Sequence, residues 1–187
     1  MNQAKDEIEL TASEKSTLIH LNPNFVPNKC HPAISYVSNP REVTRSNILV
    51  RMLTGTYTLQ TTCAKFNQHN TDICPLCKEK PEDLQHMILE CPTTEDVRKL
   101  YITNVKGQVP YVYKHRNLVN SNEYLTQMIL DPTHEKIALL LDLPRTIVER
   151  LMMVSRDMCY AIHTKRAQLI NRLVATKNKD KTATNKT

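Results

Sequence analysis

The chain has 187 residues and carries 25 Lys or Arg against 19 Asp or Glu. It contains only two glycines, Gly55 and Gly107, which leaves few positions for phosphate-cradling loops, tight hairpins or left-handed helix caps, and therefore disfavours extended β architecture and nucleotide-loop enzymes. Apolar runs such as residues 137–143 are far shorter than the roughly 18 residues of a membrane span. The acidic residues 1–14 do not resemble a signal peptide, so we expect an intracellular protein, nuclear or cytoplasmic, with no membrane partner.

Positive charge is concentrated towards the C-terminus. Residues 145–187 hold ten Lys or Arg and three Asp or Glu, whereas residues 1–144 hold 15 Lys or Arg and 16 Asp or Glu. A basic end on a nearly neutral body favours an anionic partner, with RNA or DNA first, although such an end can also serve solubility alone.

The pattern of apolar residues and prolines predicts a mostly α protein in four parts. Residues 1–40 read as an irregular N-terminal segment, with a short helix over residues 5–20 and then a connector broken by prolines. Residues 41–104 are expected to form a helical module around a cysteine cluster, and residues 105–176 a C-terminal helical region. The polar residues 177–187 are expected to be a disordered basic tail.

Helical periodicity predicts the main helices near residues 42–53, 82–90, 94–103, 122–130, 133–142 and 145–175. The first carries a stripe from Val43 to Leu53 and should end at Gly55. A short second helix is expected to point Leu59, Cys63 and Phe66 towards the core.

Two later helices have recognisable first turns. Thr93 or Thr94 reads as the N-cap of the helix whose buried face is expected to hold Val97, Leu100 and Tyr101. Pro144 reads as the first residue of the last and longest helix. That helix carries an apolar face of Ile147, Leu151, Val154, Met158, Ile162, Leu169 and Leu173.

The sharpest motif is a cluster of three cysteines and one histidine. Cys74 and Cys77 are separated by two residues, and His86 and Cys91 follow at the spacing of a helix and its end. Zinc prefers four tetrahedral nitrogen or sulfur ligands, and a Cys-x-x-Cys turn can aim two thiolates at one ion. The motif predicts a structural Zn²⁺ site, because four protein ligands leave no coordination position open to water.

A competing interpretation treats Cys74 and Cys77 as a redox pair or as core thiols. It is disfavoured because a thioredoxin-like motif needs a βαβ context that the sequence lacks. The remaining cysteines, Cys30, Cys63 and Cys159, have no partners at ligand spacing and are expected to be small apolar residues. His69 is the one other histidine near enough in sequence to substitute as a ligand.

These residues resemble the zinc-binding region near the C-terminus of non-LTR retrotransposon reverse transcriptases. The resemblance covers about residues 45–100 and rests on these segments: Arg51 to Leu59, Phe66-Asn67, Asp72 to Cys77, Glu82-Asp83, His86, Glu90-Cys91-Pro92 and Arg98. Residues 159–166 look like the C-terminal helix of such proteins, with less specificity. The resemblance implies a nucleic-acid-associated module of a mobile-element polyprotein, or a gene derived from one.

The catalytic residues of such polyproteins are not recognisable in this sequence. No adjacent Asp-Asp pair is present to hold magnesium, and the acidic residues do not follow ribonuclease H or endonuclease spacing. We therefore expect a detached C-terminal fragment without enzymatic activity.

Two functions remain compatible with the sequence. The first is a zinc-stabilised nucleic-acid-binding module, with phosphate contacts from Lys78, Lys80, Arg98, Lys99, Lys165, Arg166 and Arg172; for any one of these residues, a merely solvated position is the simpler explanation. The second is a protein-interaction adaptor that uses the apolar face of the last helix. Salt-dependent binding to RNA or DNA would favour the first, and salt-insensitive oligomerisation the second; the sequence does not predict the oligomeric state.

Overall fold

A computed structural model describes residues 20–21, 30–35, 37–66, 71–107 and 121–184. These ranges contain six α-helices: α1 Pro40–Leu53, α2 Gln60–Phe66, α3 Glu95–Gly107, α4 Asn122–Leu130, α5 Glu135–Leu141 and α6 Arg145–Thr184. A π-helical turn, His86–Glu90, and a 3-10 turn, Pro92–Thr94, lie between α2 and α3. The one extended pairing in the described ranges is an isolated bridge between Ile73 and Pro81. The predicted mostly α fold is confirmed.

Helix α1 ends as its sequence predicts but begins earlier, at Pro40 instead of near residue 42. Asn39 caps it, since its side-chain oxygen accepts a hydrogen bond of 3.0 Å from the Glu42 N–H, while the Glu42 carboxylate accepts from the Ser38 N–H at 2.9 Å. This reciprocal arrangement satisfies amides that the first turn leaves unpaired. Gly55 follows the helix with φ 67°, a left-handed conformation that glycine adopts without a Cβ clash.

Helix α6 is the central element of the core. It packs against α1, α3 and α4, and its residues Leu151, Met158 and Ile162 are fully buried. Leu49 of α1 and Ile129 of α4 belong to the same apolar cluster. Complete burial of one such side chain contributes about 1.5–3 kcal/mol, so the long helix holds the other elements together.

Several predicted buried positions are wrong. Phe66 is 88 % exposed, Leu100 is 70 % exposed and Val43 is 54 % exposed. Leu100 lies on the outer side of α3, where Val105 is buried instead, and Val43 lies on the outer side of α1, where Leu49 and Met52 are buried. Helix α2, which contains Phe66, has no buried residue. Periodicity identifies an apolar stripe, but it does not decide which edge of a wide stripe the neighbouring helices cover.

Some helix boundaries also differ from the prediction. The hydroxyl of Thr94 donates to the Cys91 carbonyl at 3.3 Å instead of capping α3. Pro144 precedes α6, where its carbonyl accepts from the N–H groups of Ile147 and Val148. Helix α6 continues to Thr184, beyond the predicted end near residue 176.

Parts of the predictions lie outside the described residues. These include nearly all of the helix predicted over residues 5–20, much of the connector that follows it, and residues 185–187 of the tail. Across the ranges that are described, no helix combines the length and apolar character needed to cross a bilayer.

Candidate metal centre

The loop of residues 73–81, here called the knuckle, presents two cysteines on a tight turn. The bridge between Ile73 and Pro81 closes its base. Within it, the Cys74 N–H donates to the Lys80 carbonyl at 2.8 Å and the Lys78 N–H donates to the Cys74 carbonyl at 2.9 Å. Lys78 takes φ 62°, which turns the chain directly after Cys77.

Backbone amides of the knuckle point at both sulfurs. Burial raises the pKa of the Cys74 thiol to about 12, although the N–H groups of Cys77 and Leu76 favour its thiolate. The pKa of Cys77 lies below its usual value: partial burial opposes this shift, but the N–H groups of Glu79 and Lys80, together with hydrogen bonds from the Cys74 and Cys91 thiols, favour the thiolate. Such N–H donors support the thiolates of a metal site.

His86 and Cys91 approach from the opposite side, at the two ends of the π-turn. Asp83 fixes the start of the turn by accepting from the His86 N–H at 2.7 Å. The Cys91 N–H donates to the His86 carbonyl at 2.7 Å. In an α-helix, residues five apart point about 140° away from each other, whereas the wider i to i+5 turn returns Cys91 to the face of His86.

The four predicted ligands converge on one point. Their donor atoms all lie within 4.8 Å of one another. The Cys74 and Cys91 sulfurs are 3.9 Å apart, and the Cys77 sulfur is 3.3 Å from Nε2 of His86. A tetrahedral zinc site with Zn–S bonds of about 2.3 Å has donor separations of about 3.6–3.8 Å, so these donors fit a metal ion of that size.

Other observations agree with a metal site. Nε2 of His86 is the ring nitrogen directed at the Cys77 sulfur, while Nδ1 is buried without a hydrogen-bond partner among the described residues. All six cysteines are free thiols, and 3.9 Å is nearly twice the length of a disulfide bond. The residues present can therefore hold a metal ion through three sulfurs and one nitrogen.

A second layer of polar groups surrounds these ligands. The Thr93 hydroxyl lies 3.0 Å from the Cys91 sulfur, and Arg98 donates to the Cys91 carbonyl at 3.0 Å. Glu82, which is buried, lies with its Oε1 4.0 Å from the Cys74 sulfur. Arg166 of α6 makes a bidentate ion pair with Glu82.

The other cysteines lie away from the cluster. Cys30 is exposed and Cys63 is half-buried. Cys159 is fully buried, and burial raises its pKa to about 12, so it behaves as a small core residue. His69 lies outside the described residues.

The seven predicted phosphate contacts occupy different environments. Lys80, Lys99 and Lys165 make ion pairs with Glu90, Glu95 and Asp96, respectively. Arg98 and Arg166 are turned inward, towards the Cys91 carbonyl and the Glu82 carboxylate. Lys78 and Arg172 are exposed, and neither makes an ion pair with a described residue.

Sequence reasoning missed the role of Glu82. This residue appears in the sequence as the opening of a helix, and nothing in its local spacing indicates that it is buried. Its partner Arg166 lies 84 positions away in the chain. Only the three-dimensional packing of α6 against the knuckle brings the two together.

No protein-family model, curated protein or solved structure matches the chain.

Proposed function

We propose that this chain is a zinc-stabilised nucleic-acid-binding module. The observation that carries the metal part is the convergence of Cys74, Cys77, His86 and Cys91. Three thiolates and one imidazole are soft and borderline ligands that favour Zn²⁺ over Mg²⁺ or Ca²⁺. Because four protein ligands close the coordination sphere, the role proposed for zinc is structural.

The proposed nucleic-acid surface uses the cations that the fold leaves available. Lys78 and Arg172 are exposed. The ion pairs of Lys80, Lys99 and Lys165 lie largely at the surface, and such pairs contribute only about 0–1 kcal/mol. A phosphate can therefore replace the carboxylate in each of them. Arg98 and Arg166 are withdrawn from the proposal because their donors are used inside the protein.

The C-terminal end of α6 should add to this surface. Lys177, Lys179 and Lys181 lie in the helix beyond the core, and residues 171–176 are exposed. Phosphate neutralisation releases counterions, so binding should weaken steeply with salt and depend little on base sequence. Stacking of nucleic-acid bases on aromatic side chains has less support than phosphate contacts, since the chain has no tryptophan.

We also propose that the chain is related to the zinc-binding region of non-LTR retrotransposon reverse transcriptases. The motifs quoted from residues 51–98 support this proposal. An upstream reading frame that encodes a polymerase, found in the genomic flank, would strengthen it, and a flank that encodes an unrelated protein would count against it.

The test is a salt titration of binding to labelled RNA and DNA oligonucleotides. A chain ending at Thr176 removes four lysines and one aspartate without touching the core. The slope of log affinity against log salt should become shallower by about 0.7–0.9 for each phosphate that the shorter chain no longer neutralises. An unchanged slope would refute the basic C-terminal surface, and the absence of salt-dependent binding by the full chain would refute nucleic-acid binding altogether.

The hypothesis of a protein-interaction adaptor has less support than nucleic-acid binding. Leu151 and Met158 are fully buried in the core, and Ile147 and Val154 pack against the same cluster, so this face cannot bind a partner while the protein is folded. The large apolar residues of α6 that remain exposed are Met153, Leu173 and Val174.

A further inference from the structure

A buried carboxylate lies directly beside the candidate metal centre. Glu82 is 1 % exposed, and its Oε1 is 4.0 Å from the sulfur of Cys74. Its other oxygen, Oε2, accepts a hydrogen bond of 3.0 Å from the Gln60 N–H. Glu82 therefore occupies a fixed position next to a metal ligand.

The negative charge of the Glu82 carboxylate makes this position energetically unfavourable unless a cation lies nearby. A divalent ion bound by three thiolates and a neutral imidazole carries a net charge of about −1, because coordinating thiols are deprotonated. The Glu82 carboxylate would add a second negative charge at close range. Like charges that are buried together repel strongly, since the low-dielectric interior screens them poorly.

Arg166 supplies the compensating positive charge. Its Nε and Nη2 atoms each donate to Glu82 at 2.8 Å, and its side chain is only 13 % exposed. The guanidinium carbon lies 5.8 Å from the centre of the Tyr57 ring. The Tyr57 hydroxyl is in turn 2.8 Å from Nδ1 of His163, so Tyr57 contacts two residues of α6 and helps to fix the arginine beside Glu82.

We propose that Arg166 is the counter-cation of the metal centre, a positioning residue that allows Glu82 and an anionic metal–thiolate cluster to lie side by side. Metal binding and the docking of α6 are then thermodynamically linked, because the metal-bound knuckle needs the cation that α6 provides. The inference rests on the zinc part of the proposed function and is independent of nucleic-acid binding.

The proposal predicts opposite effects for the two members of one ion pair. Arg166→Met leaves two adjacent anions, so zinc affinity should fall by about 10–100-fold, the range typical of outer-shell substitutions. Glu82→Gln removes an anion and leaves the arginine beside the thiolates, so zinc affinity should equal or exceed that of the native chain. An ion pair that only stabilises the fold would lower zinc affinity in both variants.

The experiment measures zinc affinity of the full chain by competition with a chromophoric chelator at neutral pH. The Co²⁺-substituted protein provides a second readout, because its absorption reports tetrahedral thiolate coordination independently of stability. Lys165→Met is the matched control: it removes the same charge from the neighbouring residue, whose ion pair with Asp96 lies at the surface, and it should leave zinc affinity within about threefold of native.

Two further variants keep the test decisive if Arg166→Met fails to fold. Arg166→Lys retains the charge and should bind zinc within about tenfold of the native chain, and the double variant Glu82→Gln/Arg166→Met, in which the buried carboxylate charge is removed as well, should recover affinity in the same range. Equal reductions in Glu82→Gln and Arg166→Met, or no recovery in the double variant, would overturn the proposal. If the native chain binds no zinc, the proposed function fails instead.

Discussion

Lys78 is a knuckle residue with a left-handed backbone conformation, which is unfavourable for a residue that carries a Cβ atom. Its φ of 62° lies in the left-handed region, which costs an L-residue with a Cβ roughly 1–2 kcal/mol. The hydrogen bond from its N–H to the Cys74 carbonyl fixes this conformation. The turn after Cys77 therefore stores a small amount of strain that glycine would avoid.

Lys78→Gly should accordingly raise the free energy of unfolding of the zinc-bound protein by up to about 1 kcal/mol, with zinc stoichiometry unchanged. Urea unfolding with zinc in excess measures this difference. Lys80→Gly removes the same charge from a residue without positive φ, so it should lower stability by about 0.5–1 kcal/mol. A decrease in stability in both variants would contradict the strain assigned to Lys78.

The four ligands should differ sharply from the other cysteines. Replacement of Cys77 or His86 by alanine should abolish stoichiometric zinc and lower the unfolding temperature, because a structural site with three ligands loses most of its affinity. Cys30→Ala, Cys63→Ala and Cys159→Ala should retain one zinc per chain by elemental analysis, although the buried Cys159 variant should be less stable. Loss of zinc in one of these three would mean that the ligand set is wrong.

Among the elements, α6 is both the longest helix and the centre of the core. Leu151, Met152, Met158 and Ile162 are essentially inaccessible to solvent, whereas residues 171–176 are exposed. The first part of the helix is therefore required for the core, whereas residues 171–176 lie outside the core.

Two truncations separate these parts. A chain ending at Leu143 has no α6 to complete the core and should show no cooperative thermal unfolding by circular dichroism, even with zinc in excess. A chain ending at Thr176 should unfold within a few degrees of the full protein, since the residues that precede the cut, 171–176, are already exposed. If the shorter chain unfolded cooperatively with zinc bound, the knuckle would be an independent folding unit and α6 would not be its support.

Local spacing predicted the elements whose stability depends on nearby residues. Gly55 marks the end of α1, and the four candidate ligands fall within 18 consecutive positions, residues 74–91. The π-turn was missed because a spacing of five between His86 and Cys91 gives no helical signal of its own, although such turns frequently occur at functional sites.

Interactions across long sequence separations were not predictable in the same way. Arg166 reads as one more basic residue of a basic helix, yet it pairs with Glu82 across 84 positions. Leu100 reads as a core residue, yet it is 70 % exposed. Charge and hydrophobicity indicate what a side chain can do, and only the packing of distant elements determines which neighbour it finds.

At the scale of the whole molecule, the metal centre is part of the core. Met87 and Ile88 of the π-turn are buried in the same apolar cluster as α1, α4 and α6, and the turn itself contacts α3, α4 and α6. Loss of the metal should therefore loosen this packing as a whole, because His86 and Cys91 at either end of the turn would no longer be fixed.

Metal binding and global stability should consequently be linked. Above the dissociation constant, each tenfold rise in free zinc should add about 1.4 kcal/mol to the free energy of unfolding, if the unfolded chain binds zinc much more weakly. Free zinc can be set with a chelator buffer while denaturant unfolding is followed by circular dichroism. The Cys77→Ala chain is the control, since its stability should not respond to zinc.

The same linkage determines whether zinc affinity rises or falls with pH. Without metal, the pKa of Cys74 is raised to about 12, so its thiol holds a proton at neutral pH that zinc must displace. Zinc affinity should therefore rise with pH over the neutral range and fall as acid competes for the sulfurs. Calorimetric titrations in buffers of different ionisation enthalpy should show proton release on zinc binding at neutral pH. Binding heats that do not depend on the buffer would exclude thiolate coordination by Cys74 and with it the four-ligand site.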